Sequence, residues 1–259
     1  MLRKRFDERQ VGHAGTLDPD ATGVLLVGVG KATRLLRFLT ALGKTYTADV
    51  VLGTSTSTLD SSGEVTGTFD MSTITAAMAR TVAAEHLTGP IMQIPPMVSA
   101  LHVGGKRLYE LARDGIEIER QPRPVTVYSF DVADSDHPSV LRIEVQCSAG
   151  TYIRTLADDL GRLLGGGAHL RNLRRTAVGS FTDSEALAPN ECTLIAPADA
   201  LRDYPSVGVD DSTADMVRHG RVLDRFPGDG PWAVIDQRGA LLAVYELVGS
   251  AAKPAVVIA

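Results

Sequence analysis

The residues best suited to chemistry stand in Gly12-His13-Ala14-Gly15-Thr16-Leu17-Asp18-Pro19, followed by Ala21-Thr22-Gly23. This is a Gly-hinged segment that fixes one carboxylate between a leucine and a proline. A carboxylate held rigidly beside an apolar pocket can act as a nucleophile or as a general acid and base. The same residue types also build an Asx-type turn, in which Asp18 bonds local backbone ahead of Pro19. His13, taken alone, reads as a solvated loop histidine. Arginine is the second chemical feature. Arg3, Lys4, Arg5 and Arg9 crowd the N-terminus, and Arg171, Arg174 and Arg175 fall within five residues. Planar guanidinium forks suit phosphates and base edges. Cys147 and Cys192 make neither a disulfide framework nor a zinc cluster, and there is no Walker loop or dinucleotide fingerprint.

Elements must carry these residues. The opening reads as the end of a helix that finishes before Gly12, and Gly12 to Gly23 as a loop. Val24 to Val29 is an apolar run expected to be a buried strand. Ala32 to Leu42 sets Leu35, Leu36, Leu39 and Leu42 at helical spacing and stops at Gly43. Tyr46, Ala48, Val50 and Leu52 alternate with Thr47, Asp49 and Val51, so Tyr46 lies on the apolar face of a strand and, by position alone, is a core tyrosine. Thr54 to Ser62 reads as a polar loop, and Ser72 to Leu87 as a helix that ends before Gln93-Ile94-Pro95-Pro96. Lys106 to Arg123 alternates charges around Leu108, Leu111 and Ile116, predicting a solvated helix and arm. Leu141, Ile143, Val145 and Cys147 alternate as a half-buried strand, with Cys147 an inert core thiol.

Ile153, Leu156, Ala157, Leu160 and Leu163 form the apolar stripe of a helix ended by Gly165-Gly166-Gly167. Arg154 lies off that stripe, where an i,i+4 pair with Asp158 is one use for it. From about residue 200 the pattern changes to short strands at Trp232 to Asp236, Leu241 to Leu247 and Ala255 to Ile258. That predicts a small β domain after a linker around Asp203-Tyr204-Pro205.

The chain has 259 residues and a formal charge of −5, which at first argues against a nucleic-acid partner. The acidity is regional: residues 1–180 are net +1 and residues 181–259 are net −6. Local clusters outweigh the total, so the arginine-rich region keeps a phosphate-binding role open. No apolar run approaches the ~20 residues of a membrane span, and Met1-Leu2-Arg3-Lys4-Arg5 leads into charge instead of a signal-peptide core. A cytoplasmic protein is expected.

The Gly12–Pro19 segment resembles the G-H-x-G-x-L-D-P motif of the TruB family, the tRNA pseudouridine synthases that act on uridine-55. The resemblance continues through Lys44-Thr45-Tyr46-Thr47-Ala48, Gln93-Ile94-Pro95-Pro96-Met97 with Ser99-Ala100, and Gly104-Lys106-Arg107-Tyr109. It runs on through Ala112-Arg113-Gly115, Arg123-Pro124, Cys147 to Gly161, and Ala168 to Arg175. Ordered blocks over about 160 residues are far more specific than one short motif.

The resemblance implies an α+β fold: a mixed, mainly antiparallel sheet flanked by helices (the pseudouridine synthase fold), with a small C-terminal PUA-like β domain. Residues 1–203 would form the catalytic domain, 204–259 the β domain, and about residues 97–124 the insertion that closes over the T loop. Asp18 matches the family's catalytic aspartate. Tyr46 matches the tyrosine that stacks on the target base and is a candidate for handling its proton. Arg154 matches the arginine that pairs with the catalytic carboxylate. Leu173 matches an apolar residue lining the uracil pocket, His13 the histidine that packs into the T loop, and Tyr152 a supporting group. Lys44, Arg107 and Arg174 are expected on the substrate-binding side.

The implied reaction breaks the N-glycosidic bond, rotates the uracil and rebuilds a bond through C5. It needs no cofactor and no metal. Attack on the base, attack on the sugar and initial elimination are all open to Asp18. The uridine must leave its stack, costing a few kcal/mol that stacking on Tyr46 offsets in part. The expected partner is the T arm and elbow of tRNA, read by shape and phosphates, and the expected state is a monomer without membrane contact. Arg218, Arg221 and Arg225 are candidates for a local tRNA contact from the C-terminal segment.

Two departures stand out. Family members begin with a further strand and helix carrying a K-P-x-G-x-T-S type motif, about 25–30 residues by family comparison, that this sequence lacks. His102 stands where many members have Lys, which would make one arm contact pH-dependent. The alternative reading is therefore a tRNA-binding folding chaperone with impaired catalysis. A carboxylate-based glycosidase would need a second acid, and Asp20 is only two residues from Asp18.

Overall fold

The structure is a computed structural model. It describes residues 1–258 except Ala100, Gly104, Gly105, Asp114, Gly115 and Glu117, and not the side chains of His102, Val103, Lys106, Arg107, Tyr109, Ala112 and Arg113. In chain order it runs α1 (Leu2–Arg5), β1 (Val11–His13), β2 (Thr22–Gly23), β3 (Val27–Val29), a 3-10 segment (Gly30–Leu35), α2 (Leu36–Ala41), β4 (Lys44–Leu52), β5 (Thr54–Thr56) and β6 (Val65–Thr68). Next come α3 (Ala76–His86), β7 (Gly89–Gln93), β8 (His102–Val103), β9 (Lys106–Arg107), α4 (Leu108–Arg113), β10 (Arg123–Asp134), β11 (Val140–Cys147) and α5 (Ile153–Leu163). The rest is β12 (Ala168–Val178), β13 (Phe181–Thr182), β14 (Ser206–Gly208), α6 (Asp211–Arg218), β15 (Leu223–Asp224), β16 (Trp232–Ile235), β17 (Leu241–Val248) and β18 (Ala251–Val257). No helix of the described residues is long and apolar enough to cross a membrane.

Residues 16–24 and 42–178 form one compact unit. Its sheet runs β12-β4-β11-β10-β7, all antiparallel, with β2 added parallel to β12. The period-2 pattern of β4 and β11 turns Ala48, Val50, Leu52, Ile143, Val145 and Cys147 to one face, where α3 and α5 cover them. The stripe of α5 does the covering: Ile153, Leu156, Ala157 and Leu160 are buried, each leucine contributing about 1.5–3 kcal/mol. The Cys147 thiol is pushed up to about 11 by burial, which matches an inert core role. Thr75 starts α3, its hydroxyl accepting from the Met78 amide at 3.3 Å.

Residues 1–15, 25–41 and 179–259 form the other unit. It holds the β1–β3 pair and a five-stranded sheet in the order β14-β16-β17-β18-β15. Its core gathers Trp232, Tyr245, Leu242, Val234, Ala214 and Val217, with the Trp232 indole donating to the Pro227 carbonyl at 2.7 Å. Arg34 donates to the Val257 carbonyl at 2.6 Å and Arg37 pairs with Glu246 at 2.6 Å, so part of the arginine content is structural.

Several expected elements come out differently. The ends of the expected Gly12–Gly23 loop are paired backbone, in β1 and β2. The strand expected over Val24–Val29 is confined to Val27–Val29, because the Val24 amide bonds the Arg175 carbonyl at 2.8 Å. The helix expected at Ala32 opens as a 3-10 segment. The Thr54–Ser62 loop contains β5, half of a hairpin with β6. Strands β7, β10 and β12 were not read from the pattern, nor were α6, β14 and β15. Strand β10 burial runs in broken alternation past a register shift at Val127/Ser129, so no clean period marks it.

Candidate active site

The site is built on the first turn of α5 and the bulge of β12. Arg154 follows the N-cap Tyr152 by two residues, and a cation in a first turn opposes the helix dipole. Its placement therefore answers to partners outside the helix. Nε and Nη2 donate to the two oxygens of Asp18 at 2.8 and 3.0 Å, a bidentate clamp. Nη1 donates to the Thr58 carbonyl at 2.9 Å and Nη2 to the Val98 carbonyl at 2.8 Å. A second carboxylate, Asp60, lies 3.5 Å from Nη1. The Arg154 side chain is only 4% exposed, so such a charge needs this full set of partners. The i,i+4 alternative does not occur, because Asp158 pairs with Arg162 at 3.1 Å. Nor does Asp18 spend its carboxylate on an Asx turn; its backbone carbonyl closes the local turn, accepting from Ala21 at 3.0 Å.

Asp18, Asp60, Arg154, Val98 and Leu173 line a cleft of about 230 Å³ together with Leu170 and Asn172. Leu173 reaches it because β12 shifts register between Arg171 and Arg174, with Asn172 at φ 54°. A larger hollow of about 380 Å³ on the opposite, polar face of the sheet holds Asp49, Asp131, Arg142 and Glu144, without a buried clamp on any carboxylate.

Tyr46 packs at the margin of the core, with the Arg175 guanidinium beside its phenol. Burial is the main force pushing that phenol up, and Asp18 is close enough to push it further. Tyr152 is held by Gln93, whose side chain accepts from the Tyr152 amide at 2.7 Å and donates to its carbonyl at 3.1 Å. Burial likewise pushes the Tyr152 phenol up.

Lys44 is buried at the start of β4 and donates to the Leu42 carbonyl at 2.6 Å. Desolvation, with repulsion from Arg175, lowers its ammonium to about 8 from 10.5. The folded chain thus holds this proton less tightly than the unfolded chain, a loss of stability below pH 8 that is relieved as pH rises from about 8 to 10.5. Lys44→Met should therefore gain stability relative to the parent at pH 7. That advantage should shrink by about 3 kcal/mol in urea denaturation at pH 10.5. A pH-independent difference would show that Lys44 is not the titrating group.

The description "TruB family pseudouridylate synthase (N terminal domain)" matches residues 3–153, more than half of the chain. The chain belongs to the TruB family. Two further family descriptions match, "tRNA pseudouridylate synthase B C-terminal domain" over residues 154–193 and "tRNA Pseudouridine synthase II, C terminal" over residues 204–259. The chain is 46% identical over 228 residues to tRNA pseudouridine synthase B of Symbiobacterium thermophilum, covering 85% of this chain and 76% of that protein. It is 43% identical over 266 residues to tRNA pseudouridine synthase B of Nocardia farcinica, covering 99% and 86%. The solved structure described as a Cbf5-Nop10-Gar1 complex superposes with a TM-score of 0.73 at 24% identity, over 100% of this chain and 79% of that chain. That likeness establishes the fold, an α+β pseudouridine synthase fold with mainly antiparallel sheets.

Of the residues matched to the TruB motifs, the structure brings Asp18, Arg154 and Leu173 into one cleft, with Tyr46 and Tyr152 beside them. Arg174 is exposed on β12 and reaches the Thr22 hydroxyl at 3.4 Å. His13 is exposed at the end of β1, paired with Val27, and belongs to the other compact unit. The Arg107 and His102 side chains lie outside those described, as does part of the 97–124 insertion. Sequence reasoning missed Asp60. It sits in a Ser/Thr-rich stretch, where its Oδ1 accepts from Thr58 at 2.6 Å and from the Ser62 amide at 3.0 Å. Such Asx bonding is the ordinary use of an aspartate in a polar turn. What makes this turn different is its docking on β12: the Ser61 amide bonds the Leu170 carbonyl, and the Leu170 amide bonds the Leu59 carbonyl, each at 3.0 Å.

Proposed function

We propose that the chain is a tRNA pseudouridine synthase that converts uridine-55 of the T loop without a cofactor, Asp18 being its catalytic carboxylate. The observation that carries this reading is the Asp18 carboxylate gripped at both oxygens by a buried arginine in a cleft walled by Leu173. The clamp fixes the carboxylate toward one reaction centre at no further ordering cost when substrate arrives. The extruded uracil would enter beside Leu173 and stack on Tyr46, whose phenol is a candidate to handle the C5 proton, while Tyr152 supports the clamp. Arg154 neutralises charge beside the reacting carbon and holds Asp18 in register. The same geometry favours catalysis over a purely RNA-folding role, since folding tRNA asks for no clamped carboxylate.

The finer assignments follow from this reading. Arg174 and Arg107 would meet phosphates, His13 the space vacated in the T loop, and Lys44 would brace the start of the Tyr46 strand. As a division by function, residues 1–203 carry the chemistry and residues 204–259 are an appended PUA-like β domain. A cytoplasmic monomer is the working form. The test is tritium release from a tRNA transcript labelled at uridine C5. Release of one equivalent per tRNA is expected, together with complete loss of release when uridine-55 of the transcript is replaced by cytidine. No release, or release from the substituted transcript, would sink the assignment.

A further inference from the structure

Outside the residues that line the cleft, the fold buries a second arginine that the reaction scheme does not use. Arg175 is 1% exposed, among the largest side chains the fold encloses completely. A buried guanidinium is expensive unless its donors are spent on fixed partners. Its Nε donates to the Val24 carbonyl at 2.7 Å, and the Val24 amide returns a bond to the Arg175 carbonyl at 2.8 Å. This reciprocal clip fastens the end of the Asp18 segment to β12. Gly23, at φ 104°, is forced there by the same contact, because a Cβ would stand 2.1 Å from the Arg175 carbonyl oxygen. Across the antiparallel ladder, Arg175 is the direct register partner of Tyr46, which sets its guanidinium beside the phenol.

We propose that Arg175 is a positioning residue for the reaction, anchored on Val24 so that its fork holds the Tyr46 phenol at a fixed place relative to Asp18. The assignment rests on the pseudouridine reading above and deepens it. Tyr46 comes from β4 and Asp18 from a segment near the start of the chain. The β2–β12 and β12–β4 ladders set the two backbones, and Arg175, fixed to Val24 and placed beside the phenol, is the side chain that reaches from one piece to the other. Lysine, with a single nitrogen on a flexible stem, would not reproduce the planar fork.

The test is a double-mutant cycle on the full chain, read as single-turnover tritium release and, separately, as tRNA dissociation constant. Arg175→Gln should slow release at least tenfold while the dissociation constant stays within about threefold. In a Tyr46→Phe background, Arg175→Gln should slow the residual rate no further, because the group it holds is gone. Arg175→Lys, which keeps the charge without the fork, should fall between parent and Arg175→Gln; it also serves in the same cycle should the Gln variant fold poorly. Additive losses, full activity in Arg175→Lys, or a loss of binding that accounts for the rate would overturn the proposal. No release by the parent chain would instead overturn the pseudouridine reading itself, and the role of Arg175 with it.

Discussion

Asp18→Asn is expected to lower tritium release from labelled tRNA by about a thousandfold or more, with tRNA affinity changed by less than about threefold. Asn keeps the size of the side chain but removes its charge and one acceptor. Both Asp18 oxygens are engaged by Arg154, so an amide in their place must turn its NH₂ toward a guanidinium or rotate away. Either way, the group that would attack or deprotonate is lost, whichever of the three routes the reaction takes. On the proposed reading most of the tRNA contact would be to phosphate and sugar outside the cleft, so affinity should persist. Release that survives Asp18→Asn would remove the carboxylate from the mechanism. Parallel loss of affinity would instead make Asp18 a binding group.

Arg154→Met carries the largest expected loss of stability, about 3–5 kcal/mol in urea denaturation, because it leaves charges behind without their partner. Removing the guanidinium strips the donors from the Thr58 and Val98 carbonyls and leaves the Asp18 and Asp60 carboxylates without the cation they share. The two carboxylates, not the missing arginine alone, cause the penalty. Adding Asp60→Asn to Arg154→Met should therefore recover part of the lost stability without recovering tritium release. A cost below about 1 kcal/mol for Arg154→Met would mean that the clamp is a surface-type pair of little energetic weight. Additivity of the two substitutions would mean that Asp60 does not feel Arg154.

Some parts of this protein were legible residue by residue. The stripe Ile153, Leu156, Ala157 and Leu160 foretold α5, and the alternation of Tyr46, Ala48, Val50 and Leu52 foretold β4 with its inward face. Both signals are local, since side-chain direction repeats every 3.6 residues in a helix and every two in a strand. Strand β12 gave no such signal. Its burial pattern is broken where the register shifts between Arg171 and Arg174, and that irregularity is what turns Leu173 into the cleft.

By itself, the sequence determined the family, through spaced motifs, and the identity of the one carboxylate set in a Gly-hinged, Pro-stopped segment. Which arginine serves which partner was decided only by the tertiary structure. Arg154 had Asp158 four residues away, yet it pairs with Asp18 across 136 positions, while Asp158 takes Arg162. Arg174 and Arg175 are neighbours of one type, yet one is exposed and the other is enclosed between Val24 and Tyr46. The physical reason is the same in both cases. A buried charge must find its partners wherever the fold places them, and distance along the chain says nothing about distance in space.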